Sequence, residues 1–132
     1  MRQTNGAAAY HEAKVMGSSR EQLVVLLYEH LLANLRRAAI QLHKKDVEGR
    51  VRSLERASDI VFELLSALDH DAGGELASRL AALYAYFIGE ISAIGRTQDG
   101  DRLDRLTSLV AMLHKSWSQA ATAARGATEV PA

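Results

Sequence analysis

Proline occurs once in this 132-residue chain, at Pro131 in the tail. Inside a helix a proline removes a backbone donor and clashes with the preceding turn, at a cost of about 3 kcal/mol. Everything before the tail is therefore free of the strongest helix breaker. The apolar residues point the same way. Leu and Ala dominate over Val and Ile, and aromatic residues are only 5% of the chain, a mixture that favours helices over sheets. The chain is expected to be all-α, and the question becomes how many helices there are and what covers them.

Four segments carry helical spacing. In the first, Leu23, Leu27, Leu31, Leu35, Ala38 and Leu42 recur at intervals of three and four, and Val24, Val25, Leu26 and Leu32 widen the stripe past a single face. A helix apolar around most of its circumference must be covered on several sides, so this one is expected to be central. Ser19 with Gln22, or Ser18 with Glu21, is spaced as a capping box at its start. Asp46 is placed to cap the second helix, whose near-heptad stripe is Val47, Val51, Leu54, Ser58, Val61, Leu65 and Leu68, flanked by Ala57, Ile60 and Leu64. Gly49 weakens that helix's first turn. The third runs from about Glu75 to Ile94 on Leu76, Leu80, Leu83, Phe87, Ile91 and Ile94. The fourth opens at Asp101, with Asp104 three later, and buries Leu103, Leu106, Val110, Leu113, Trp117 and Ala120. Short links between helices of roughly 30–37 Å describe an antiparallel up-down four-helix bundle. The expected organisation is a flexible N-terminal arm over 1–17, the bundle over 18–125 and a disordered tail over 126–132.

Composition narrows the function classes. Lys plus Arg and Asp plus Glu both number 16, so no net field draws the chain to nucleic acid or anionic lipid. Cysteine is absent, which removes disulfides, thiolate metal sites and thiol nucleophiles together. No secretory signal opens the chain, and no apolar run approaches the roughly 18 residues that span a bilayer. A cytoplasmic protein with no membrane insertion is the expectation.

Motifs for chemistry are missing where they would be needed. Gly73–Gly74 follow a helix and no Lys comes next, unlike a phosphate loop. The surrounding carboxylates lack the register of a calcium loop. The glycines instead suit a helix–helix turn at positive φ, with Asp69, Asp71 and Glu75 beside the start of the third helix. His11, His30, His43, His70 and His114 show no metal-ligand spacing, and no nucleophile elbow occurs. No catalytic residue, cofactor or metal is expected. What remains is apolar surface in excess of one narrow bundle seam, chiefly on the first helix, which suits a groove for an amphipathic helix from a partner. Two alternatives stay open: a structural homodimer that buries the wide stripe between subunits, and a metal-binding bundle using Glu29, His30 and Glu63. The second lacks the paired Glu-x-x-His motif of di-iron bundles.

Three stretches, "SSREQLVVLLYEHLL", "RASDIVFELLSALDHDAGGELASRLAALYAYF" and "LTSLVAMLHKSW", together resemble the FliS family of flagellin export chaperones. The resemblance lies in Leu27–Tyr28 on the first helix, and in Leu68–Asp69 before the Gly73–Gly74–Glu75 turn. Leu83–Tyr84 on the third helix and Trp117 late in the fourth complete the ordered set. It spans roughly Tyr10 to Ser118. The chain departs from the pattern at Arg20, where the family usually has Pro, and at His30, where it commonly has Gly. The resemblance implies a cytoplasmic chaperone, monomeric or weakly dimeric, that binds the C-terminal segment of flagellin and prevents premature polymerisation before export. It carries the flagellar anti-sigma factor as a second partner of some members. It also implies that a tyrosine of the arm, here Tyr10, covers part of the client surface. The expected client-binding or groove-supporting residues are Tyr10, Met16, Leu23, Leu27, Tyr28, Leu31, Ile60 and Leu64.

Overall fold

Three tight links set the architecture. The computed structural model describes residues 20–128. Over that span lie α1 (Arg20–His43), α2 (Val47–Ser66), α3 (His70–Thr97) and α4 (Gly100–Thr128), with no strand among the described residues. Only two or three residues separate consecutive helices, so each returns antiparallel beside its predecessor. α1 packs against α2 and α4, and α3 against the same two, leaving α1 and α3 across the diagonal of a four-helix bundle. The all-α, up-down expectation is the fold found. The expected arm over 1–17 and residues 129–132 of the tail lie outside the described residues, and α4 runs through Thr128.

Each link is built from named hydrogen bonds. α1 ends in a Schellman arrangement: Asp46 N–H donates to the Gln41 carbonyl at 2.8 Å and Lys45 N–H to the Leu42 carbonyl at 3.2 Å. Lys45 takes the left-handed conformation this requires, at φ 60°. Asp46 then caps α2 as expected, its Oδ1 accepting the Gly49 N–H at 3.0 Å. Gly49 is more than a weak point in the turn. A Cβ there would lie 2.3 Å from Asp46 Oδ2 and 2.6 Å from Gln41 Nε2, and Gln41 is itself held by Ser53 Oγ at 2.7 Å.

The second corner differs from expectation in one respect. α3 begins at His70, capped by Asp69 Oδ1 on the Ala72 N–H at 3.0 Å. One short turn later it breaks at Gly74 (φ 52°, ψ −122°) and resumes. Of the two glycines only Gly74 has positive φ. Gly73 serves close packing instead, since a Cβ there would meet the Ala77 Cβ at 2.9 Å. α4 is capped by Asp99, whose Oδ1 accepts the Arg102 N–H at 3.1 Å, rather than by the expected Asp101.

Leu27, Tyr28, Leu31, Leu35, Ile60, Val61, Leu64, Tyr84, Phe87, Ile94, Leu103 and Val110 are almost wholly buried. α1 buries residues from Val24 to Ala38 around much of its circumference, consistent with its central place. On α2 the buried face is Leu54, Ala57, Ile60, Val61 and Leu64, while Val47 and Val51 of the expected stripe are exposed. On α4 the buried alanine is Ala121, and Ala120 faces solvent.

Candidate functional site

At the end of the bundle where α1 starts, α2 finishes and α3 begins, the helices leave an apolar cavity of about 550 Å³. That is within the range of small-ligand pockets, and far above the water-sized voids of a close-packed interior. Its walls are Val24, Leu64, Leu68, Leu76, Leu80, Tyr84 and Trp117. The cavity exists because Ala67, Ala72, Gly73 and Ala77 also line it: where the chain turns from α2 into α3, four small residues supply no volume to fill the gap. The break at Gly74 lies between this capped turn and Leu76, which is 60% exposed although it faces the cavity.

The floor is aromatic. Tyr28 and Tyr84 meet edge to face with centroids 6.4 Å apart, Tyr28 and Trp117 at 6.4 Å, and Tyr84 and Phe87 at 6.0 Å, separations typical of favourable ring pairs. The backbones of α1 and α3 stand on the diagonal, so the Tyr28–Tyr84 pair spans the core. Tyr28 Oη donates to Tyr84 Oη at 3.4 Å. Burial pushes both hydroxyls above the usual phenol value, offset at Tyr28 by hydrogen bonding with Tyr84 and Trp117 and reinforced at Tyr84 by the neighbouring Tyr28. On the rim, Arg20 Nη1 lies 3.7 Å from Asp69 Oδ2. The same carboxyl therefore caps α3 and links it to the start of α1.

The expected site residues distribute unevenly about this cavity. Leu64 is on its wall, and Tyr28 stands behind the wall against Tyr84 and Trp117. Leu27, Leu31 and Ile60 are wholly buried in the core and not on the lining, and Leu23 is partly buried against the core. Tyr10 and Met16 lie outside the described residues. Val24, Leu68, Leu76, Leu80, Tyr84 and Trp117 line the cavity without having been selected from sequence. Of these, Tyr84 and Trp117 sat in the motif set that carried the resemblance, and Leu76 and Leu80 in the stripe of the third helix. Further apolar side chains stand in solvent outside the cavity: Val51 and Phe62 three turns apart on α2, Tyr86 on α3 and Met112 on α4.

Other clusters are structural. Arg102 pairs with Glu90 across α3 and α4 and holds that carboxyl below its usual range. This pair and Asp99, Arg105 and Tyr86 line a polar hollow of about 300 Å³. His114 Nε2 lies 3.4 Å from both Glu29 Oε1 and Ser118 Oγ. A hydroxyl–imidazole–carboxylate relay needs the two ring nitrogens to face different partners, and here one nitrogen faces both. Among the described residues no group of three or more His, Asp or Glu side chains is gathered to hold a metal ion. No helix of the described residues is long and apolar enough to cross a membrane.

The profile of one protein family, described as flagellar protein FliS, matches residues 3–124. Among curated proteins, the flagellar secretion chaperone FliS of Campylobacter jejuni is 30% identical over 111 residues, covering 84% of this chain and 87% of that one. The flagellar secretion chaperone FliS of Salmonella typhimurium is 30% identical over 109 residues, covering 82% and 81%. That of Bacillus subtilis is 26% identical over 116 residues, covering 88% and 86%.

Proposed function

This chain belongs to the FliS family, and on that premise we propose that it is a cytoplasmic chaperone for flagellar export which binds the C-terminal segment of flagellin. The client lies as an amphipathic helical segment in an apolar groove whose deepest part is the cavity between α1, α2, α3 and Trp117. Binding covers the face that the segment would otherwise use to polymerise, and keeps it available for secretion. No catalytic group is required.

The observation that carries this reading is the cavity itself. A bundle that packs Leu27, Leu31, Ile60 and Ile94 to nothing exposed leaves about 550 Å³ open beside Leu64, Leu80 and Tyr84. Each leucine-sized client side chain buried there contributes about 1.5–3 kcal/mol. Ordering a disordered segment costs roughly 2–5 kcal/mol, so a few such anchors are enough to outweigh it. Leu23, Leu27, Tyr28, Leu31 and Ile60 support the groove from beneath in this reading, Leu64 touches the client, and Tyr10 and Met16 of the arm cover it. The flagellar anti-sigma factor is a second partner of the same reading, through the family alone.

The test is a pull-down with full-length flagellin and with flagellin lacking its C-terminal segment. Retention of the first and loss of the second is expected, and equal recovery of both would remove the mechanism. A second reading, a weak homodimer, is favoured by the exposed Val51, Phe62 and Met112. Light scattering with and without the flagellin segment separates it, since a dimer in place of a client complex would keep its mass when the segment is added.

A further inference from the structure

Two phenols carry two protons, and the Tyr28–Tyr84 pair uses only one of them. Tyr28 Oη donates to Tyr84 Oη, which leaves the Tyr84 proton without a recorded acceptor among the described residues. Tyr84 is also the member of the pair on the cavity wall. The reverse order would strand the Tyr28 proton behind that wall, beside the Trp117 ring, whose indole nitrogen donates and cannot accept. The surplus donor therefore belongs to the cavity. Tyr84 is 1% exposed, and a buried donor left unmade costs more than a typical bond gains. Burial also raises its hydroxyl above the usual phenol value, so it stays a donor at neutral pH.

We propose that this floor selects for a neutral hydrogen-bond acceptor on the client, a carboxamide or hydroxyl side chain set within an otherwise apolar helix face and received by the Tyr84 hydroxyl. The inference rests on the client-groove reading above and adds a chemical requirement to it. A carboxylate is disfavoured: Val24, Leu64 and Leu80 would strip its hydration, and Glu21 and Asp69 stand at the mouth. A lysine side chain has no lone pair to offer. Backbone carbonyls along the middle of a client helix are already engaged with its own N–H groups. A neutral polar side chain remains. Tyr84 is thus a specificity-determining residue that tells an apolar helix with one acceptor in register from an apolar helix without one.

The test titrates the full-length protein with a synthetic peptide of the flagellin C-terminal segment, in the wild type, Tyr84→Phe and Tyr28→Phe. Both variants remove the bond between the two phenols, so any loss they share is structural. Only Tyr84→Phe removes the donor to the client. It is expected to weaken the peptide about five- to tenfold, with Tyr28→Phe within about twofold of wild type. A peptide series replacing each Asn, Gln, Ser and Thr in turn by Ala should then contain one position that weakens binding to the wild type and has no effect in the Tyr84→Phe background. Its identity tells a carboxamide from a hydroxyl. Equal affinity of Tyr84→Phe and wild type, an equal loss in both variants, or a series with no coupled position overturns the proposal. A wild type that binds no peptide at all overturns the client reading, and this inference with it.

Discussion

Filling the cavity from the protein's own side should separate stability from binding. Ala77 is 3% exposed and lines the cavity, so Ala77→Leu places three more carbons into the open space. At about 0.8 kcal/mol per buried carbon the gross gain is about 2.4 kcal/mol. Lost rotamer freedom removes roughly 0.5–1 kcal/mol. Strain removes roughly 1–3 kcal/mol, because Ala77 already sits close to Gly73. These terms nearly cancel, and urea melts should place the variant within about 1.5 kcal/mol of wild type. Client binding has no such compensation. The added side chain occupies the place of one leucine-sized anchor, about 1.5–3 kcal/mol, so calorimetric titration with the flagellin C-terminal peptide should show affinity weakened roughly 10- to 150-fold. A folded Ala77→Leu protein that binds the peptide as tightly as wild type would refute the assignment of the cavity to the client.

Three further outcomes follow from the links and the ion pair. Gly49→Ala should gain none of the roughly 1 kcal/mol that alanine normally adds within a helix, because its Cβ displaces the Asp46 carboxyl that caps α2; a clear rise in the urea midpoint would contradict this. Lys45→Gly should stabilise the protein by about 0.5–1 kcal/mol in the same assay by relieving the left-handed backbone at φ 60°, and a loss of stability would count against that account of the corner. The Glu90 carboxyl is held low by Arg102. Its contribution is therefore present above the free carboxylate value of about 4.3 and is lost as pH falls through the lower folded value. Melts of wild type and Glu90→Gln should differ at pH 7 and converge near pH 3, whereas an unchanged gap would show that the pair is not the cause.

Much of this fold could be read from spacing alone, and the exceptions have physical reasons. The all-round apolar pattern of the first helix correctly placed α1 between two neighbours, because a helix cannot leave that many leucines in water. Asp46 was legible as a cap because it stands directly before a periodic run. The α4 cap was not, since Asp99 and Asp101 flank Gly100 and either satisfies the preference for aspartate. Val47 and Val51 fit a near-heptad stripe, yet α2 turns its Leu54–Leu64 face inward and leaves them exposed. Periodicity reports which residues share a face, not whether another helix meets it. The cavity was the least legible feature. It depends on Ala67, Ala72, Gly73 and Ala77 lying opposite Val24 and Trp117, residues far apart in the chain, and on small side chains that carry no hydrophobic signal of their own. The leucines chosen from the first helix for their prominence turned out to be core because prominence in a stripe and full burial have the same cause. Tyr84 stood in the sequence beside Leu83 without distinction, and its role emerges only once Tyr28 is seen across the diagonal.

Trp117 is the only tryptophan of the chain and stands on the cavity wall against Tyr28, so its fluorescence reports on this site alone. Titration with a tryptophan-free peptide of the flagellin C-terminal segment should shift the emission to shorter wavelength, shield it from acrylamide quenching, and saturate at one peptide per chain. Saturable binding with Trp117 emission and quenching unchanged would contradict the claim that the client fills this cavity.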